Sequence, residues 1–128
     1  MFGNRRLGHI GLKCKDVEKA ARWYGEKAGF KVTGRFPVRD GDILFIENEA
    51  GVVYELVPDG NIPADAVGWI EHICYESDDV ERDYEYCVKN GYRFATDGIR
   101  KAPFWENGIR YFMVYSDTGE KIEYCQIL

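Results

Sequence analysis

The sequence predicts an α+β fold made of two tandem βαβββ modules, and three observations carry that prediction. One pattern occurs twice, 63 residues apart: Gly8-His9-Ile10-Gly11-Leu12 leading to Asp16-Val17-Glu18, and Glu71-His72-Ile73-Cys74-Tyr75 leading to Asp79-Val80-Glu81. In each copy a short strand-like run gives way to a helical period and then to further strand-like runs. Each copy also closes on a Gly-x-x-x-Glu, Gly51 to Glu55 and Gly119 to Glu123. A repeat inside so small a chain speaks to architecture in a way that no single motif does.

The elements follow in order. Leu7 to Cys14 reads as a strand, with His9, Gly11 and Lys13 on one face and Ile10, Leu12 and Cys14 on the other. Asp16 is placed to cap a helix whose Val17, Ala20, Ala21 and Tyr24 recur at helical spacing, and Gly29 is placed to stop it. Strands are expected at Lys31 to Val38, Ile43 to Asn48 and Val52 to Val57, with turns at Asp40-Gly41 and Ala50-Gly51. The pattern then restarts with a strand from Ile70 to Glu76 and a helix from Asp79 to Asn90, ended by Gly91. Strands at Tyr92 to Ala95, Arg110 to Ser116 and Lys121 to Ile127 complete it, with Asp117-Thr118-Gly119 as the last turn. Thr96 to Gly108 lacks a clean period and reads as a mobile loop over a pocket. The modules are thus residues 1–58 and 70–128, joined by a Pro- and Gly-containing linker over 59–69.

Composition narrows the function classes. A net charge of −5, with acids and bases interspersed, provides no basic stripe for nucleic acid. No apolar run is long enough to span a membrane, and Met1 to Arg6 lacks the apolar core of a signal peptide, so a cytoplasmic protein is expected. Cys14, Cys74, Cys87 and Cys125 are scattered without a C-x-x-C, the pattern of reduced thiols. Aromatic-rich helices carrying Trp23, Tyr84 and Tyr86 offer more apolar surface than a small monomer readily covers, so a homodimer is expected.

His9 and His72 are the only histidines in the chain, and they occupy matching positions of the repeat. One such histidine reads as a core residue; two in register, each followed by its own glutamate, read as metal ligands. Two imidazoles and two carboxylates meeting near a pseudo-twofold axis suit zinc, nickel, iron or copper. Glu55 lies among Val52, Val53, Tyr54, Leu56 and Val57, and Glu123 between Ile122 and Tyr124, so neither reads as a free surface residue.

The motif Gly8-His9-Ile10-Gly11-Leu12, the passage from Ala21-Arg22-Trp23-Tyr24 to Gly29-Phe30, and the closing Asp117-Thr118-Gly119-Glu120-Lys121-Ile122-Glu123 resemble the vicinal oxygen chelate superfamily over essentially the whole chain. That superfamily includes glyoxalase I, methylmalonyl-CoA epimerase, the fosfomycin and bleomycin resistance proteins and the extradiol dioxygenases. The resemblance implies an eight-stranded half-open barrel around a metal, with His9, Glu55, His72 and Glu123 as ligands. The order His, Glu, His, Glu is most like glyoxalase I, the lactoylglutathione lyase, whereas the epimerases usually carry Gln at the position of Glu55. The implied activity is a lyase or isomerase that moves a proton through a metal-bound enediolate, acting on a methylglyoxal–thiol adduct or similar small molecule. Nickel or zinc is the implied metal. Glu123 or Glu55 is the implied base, with Glu123 preferred because the closing strand holds it beside the expected loop.

Two departures bear on the substrate. Lys13 stands where glyoxalase I enzymes have arginine, and lacks its bidentate fork. Asp59 replaces an asparagine, and repels an anionic thiol such as glutathione. Lys13, Phe104, Trp105 and Tyr111 are the substrate-binding candidates. Phe104 and Trp105 stand equally well for plain packing, and the face presented by Tyr111, Met113 and Tyr115 depends on strand register. Cys74 and Cys125 lie two residues beyond His72 and Glu123, near the metal or simply as small buried fillers. The alternatives to the lyase are a metal-free binding protein of the bleomycin-resistance type, an epimerase, and an extradiol-type oxygenase. A fourth protein ligand would obstruct oxygen binding, which ranks the oxygenase last.

Overall fold

Apolar residues at alternate strand positions and along one stripe of each helix decide the architecture, because each helix must bury its stripe against a sheet face. The computed structural model describes residues 3–63 and 68–128. Its elements are β1 (Leu7–Cys14), α1 (Val17–Ala28), β2 (Lys31–Val38), β3 (Gly41–Glu47), β4 (Val53–Pro58), β5 (Trp69–Glu76), α2 (Val80–Lys89), β6 (Arg100–Ala102), β7 (Ile109–Tyr115) and β8 (Lys121–Ile127). This is the α+β arrangement of two successive βαβββ modules. The chain forms two compact units: His9–Glu71, and His72–Leu128 together with the N-terminal stretch up to Gly8. Of the expected linker, residues 64–67 lie outside the described residues.

In the first unit the strands run in the order β2-β3-β4-β1, with β1 parallel to β4 and the other neighbours antiparallel. Asp16 caps α1 by accepting from the Lys19 amide at 3.0 Å, and Gly29 ends it at φ 76°, where a side chain would be strained. The apolar stripe of α1, with buried Val17 and half-buried Ala20, Ala21 and Tyr24, packs on Leu12, Leu44, Ile46 and Leu56. Tyr24, Phe30 and Tyr54 form an aromatic cluster at one side of this core, with centroids 5.1–5.5 Å apart. Trp23, expected in a helix core or a dimer contact, is 56% exposed and is no part of this core.

The second unit repeats the plan in the order β5-β8-β7-β6, with β5 parallel to β8. Asp79 caps α2 through the Arg82 amide at 3.0 Å, and the helix lays Val80 and Cys87 on Phe112, Val114 and Tyr124. One strand departs from expectation. Tyr92 to Ala95 shrinks to a single bridge, Phe94 to Val114, because the Thr96 hydroxyl accepts the Met113 amide at 3.0 Å and so takes a ladder hydrogen bond. Gly98, at φ 69°, then turns the chain. The sixth strand forms beyond this detour, with Arg100 opposite Tyr111, inside the stretch expected as loop.

Candidate functional site

Each module bears a histidine and a glutamate on the sheet face turned away from its helix. In the first, Gly11 of β1 pairs with Glu55 of β4, so His9, two residues earlier, shares the face of Glu55. His9 Nε2 lies 2.9 Å from Glu55 Oε2. Phe45 on β3 is opposite Glu55 and meets the His9 ring edge-on, with centroids 5.3 Å apart; Phe36 stands behind it at 5.9 Å. Sequence reasoning missed Phe45, although its alternation with Ile43 along β3 marks it for the same face.

In the second module His72 Nε2 lies 2.9 Å from Glu123 Oε2, and the two residues are 3% and 4% exposed. Cys74 pairs with Glu123 across β5 and β8, and Met113 pairs with Glu123 across β7 and β8. Tyr111 pairs with Cys125, which settles the register left open by the sequence: Tyr111 and Met113 share the face of Glu123, while Phe112 and Val114 pack toward α2. Donor atoms of Cys74, Glu123 and Cys125 lie within 4.8 Å of one another.

Glu55 is 6% exposed, and a carboxylate removed from water to that degree needs a compensating partner. Each imidazole is such a partner. The nitrogen and oxygen that face one another in each pair are also atoms through which these residues ligate zinc and related ions, so both pairs fit the metal chemistry expected of them.

The remaining candidates occupy other surroundings. Lys13 Nζ is 3.5 Å from Asp59 Oδ2 and 4.9 Å from the centre of the Trp69 ring, so its charge is already shared between a carboxylate and a π face. Lys13 and Trp69 line a cleft of about 1100 Å³ in the first unit, beside Trp23, Pro58 and Pro63. Phe104 is buried, and Trp105 follows it in the turn between β6 and β7 with φ 61°. That left-handed backbone is rare for a tryptophan and costs roughly 1–2 kcal/mol.

The family model described as Glyoxalase/Bleomycin resistance protein/Dioxygenase superfamily matches residues 8–112. The uncharacterized protein YwbC of Bacillus subtilis is 29% identical over 126 residues, covering 95% of this chain and 98% of that one. Among solved structures, a hypothetical protein from Bacillus halodurans superposes with a TM-score of 0.77 at 18% identity, covering 98% of this chain and 96% of the other. The Streptomyces coelicolor methylmalonyl-CoA epimerase in complex with 2-nitronate-propionyl-CoA gives 0.76 at 19% identity, covering 95% and 96%. At these identities the structural likeness establishes the fold.

Proposed function

The chain belongs to the Glyoxalase/Bleomycin resistance protein/Dioxygenase superfamily, and on that premise we propose that it is a metal-dependent lyase or isomerase that relocates one proton on a small carbonyl substrate. The observation that carries this reading is the repeated pair: in each module a buried glutamate sits 2.9 Å from the histidine of the same repeat position. We assign His9, Glu55, His72 and Glu123 together to one divalent ion, zinc or nickel; the two carboxylates balance its charge. Bound there, the ion would supply a Lewis acid for the substrate's oxygen.

The chain's own residues do the rest. A Glu123 carboxylate oxygen accepts the proton from the acidic carbon and returns it to the neighbouring carbon for isomerisation, or to the same carbon for epimerisation. Phe45 and Met113, flanking the two glutamates, keep water from the transferred proton. Tyr111, on the face of Glu123, is placed to contact substrate, and Trp105 and Phe104 to bound the pocket. Two substrate classes fit this chemistry: methylglyoxal–thiol hemithioacetals, and acyl thioesters such as the ligand named for the epimerase of like fold. The Lys13–Asp59 pair weakens the case for an anionic thiol held at Lys13.

Elemental analysis of the purified protein, with solvent-deuterium incorporation into both substrate classes followed by NMR, tests this reading. Glu123→Gln retains metal and loses roughly 10²–10⁴-fold in turnover, because an amide does not accept a proton at neutral pH. His9→Ala weakens metal binding and turnover together. Protein that binds neither zinc nor nickel overturns the assignment in favour of ligand sequestration, and full activity in both Glu55→Gln and Glu123→Gln overturns the glutamate-base mechanism. We also propose a homodimer, which a monomeric mass by light scattering would exclude. Among the described residues no helix is long and apolar enough to cross a membrane.

A further inference from the structure

We propose that the second unit carries a second site, sharing Glu123 with the one assigned above, for a thiophilic divalent cation of the zinc class held by the sulfurs of Cys74 and Cys125 and one oxygen of Glu123. Cys74, Cys125 and Glu123 are 2%, 7% and 4% exposed, and none of the chain's four cysteines is disulfide-bonded. Cys74 projects from β5 directly opposite Glu123 on β8, and Cys125 lies two residues further along β8 on the same side. Their donor atoms fall within 4.8 Å of one another. Two sulfurs bound to zinc at about 2.3 Å in tetrahedral geometry stand roughly 3.8 Å apart, so side-chain rotation of an ångström or less closes the site.

Packing alone does not ask for this arrangement. The equivalent positions of the first module hold Gly11 and Val57, which fill the same places without offering a donor. The other two thiols, Cys14 and Cys87, pack on the helix side of their sheets. Two sulfurs and a carboxylate, all buried and close together, select a soft ion over magnesium or calcium. The site takes no ligand from the first unit, so its failure leaves the proton-transfer reading standing. Because it draws on Glu123, a thiophilic ion bound here withdraws that carboxylate from other work.

Cadmium serves as the probe, since its bonds to thiolate produce a sulfur-to-metal charge-transfer band in the ultraviolet. Titration of the full chain is expected to raise that band to one equivalent per chain. Cys74→Ser with Cys125→Ser abolishes it and weakens cadmium binding by more than the roughly 10–100-fold lost with a mere supporting partner. His9→Ala keeps the band, which separates this site from the one assigned above. X-ray absorption of the cadmium-loaded wild-type chain requires no variant to fold and is expected to show two sulfur neighbours. No sulfur neighbour, a band that survives the double substitution, or a band lost with His9→Ala overturns the proposal.

Discussion

Matched through the repeat, α1 presents Val17, Ala20, Ala21 and Tyr24 to its sheet, whereas α2 presents Val80, Asp83, Tyr84 and Cys87. The same helix register therefore holds a half-buried alanine in one module and a fully buried aspartate in the other. Asp83 is fully buried, accepts from Arg5 Nη2 at 2.6 Å and from the Ser77 hydroxyl at 2.6 Å, and so ties the N-terminal stretch to the second unit. Nothing of the kind is needed at Ala20, where methyl packing suffices. The two modules share a backbone plan and differ in what holds it: apolar closure in the first, an ionic clasp in the second.

The sharpest way to break that contrast is Asp83→Ala. It takes the buried carboxylate from the Arg5 guanidinium, 12% exposed, leaving it the exposed Asp78 at 3.2 Å, and takes the acceptor from the Ser77 hydroxyl; the expected cost in denaturant unfolding is about 3 kcal/mol. A loss below about 1 kcal/mol, on the scale of a surface pair, would show that the clasp is incidental. The helix caps should treat the modules alike: Asp16→Ala and Asp79→Ala are each expected to cost about 1 kcal/mol, because each side chain accepts one orphan amide at 3.0 Å. A much larger loss at Asp79 would mean that its link to Ser77, whose hydroxyl accepts the Asp79 amide at 3.2 Å, reaches into the clasp.

The smallest effect concerns the surface tie between helix and sheet. Glu18 of α1 accepts from Arg35 of β2, and the repeat places Glu81 of α2 against Arg110 of β7 at 2.7 Å. The hydrogen bonds from Arg35 hold the Glu18 carboxyl below its ordinary pKa of 4.5. Its folded-state pKa being the lower one, Glu18 stabilises the protein above the ordinary carboxylate range, and that contribution fades as the pH falls through it. Glu18→Gln should lower thermal stability slightly near neutrality and leave it unchanged at low pH, so that the decline on acidification is flatter. An unchanged acid limb would assign the decline to other carboxylates.

What could be read from the residues, and what could not, divides along the same physical lines. β1, β2 and β8 have the limits expected of them because period-2 patterning between turn residues leaves little freedom. The duplicated histidines and glutamates were legible through register alone. The face of Tyr111 was not, since a one-residue slip reverses it and only pairing with Cys125 decides. Nor was the displaced sixth strand: Tyr92 to Ala95 has ample β character, and the competing hydroxyl of Thr96 becomes visible only once Met113 stands beside it. Asp83 reads as one more exposed helix acid, because its partner Arg5 lies 78 residues away.

That separation bears on how the protein is made. The N-terminal stretch emerges from the ribosome well before residues 72–128, yet it belongs to their unit: the Glu76 amide donates to Arg6 O at 3.0 Å, and Arg5 waits for Asp83. At roughly 5–20 residues per second, the first unit has all of its chain in hand seconds before the second can close. Arg5 and Arg6 stay without these contacts until residues 72–128 are made, and closing the second unit is a late, long-range event of high contact order. A fragment beginning at the second repeat would for the same reason lack its clasp, because a cut at the duplication boundary parts Asp83 from Arg5.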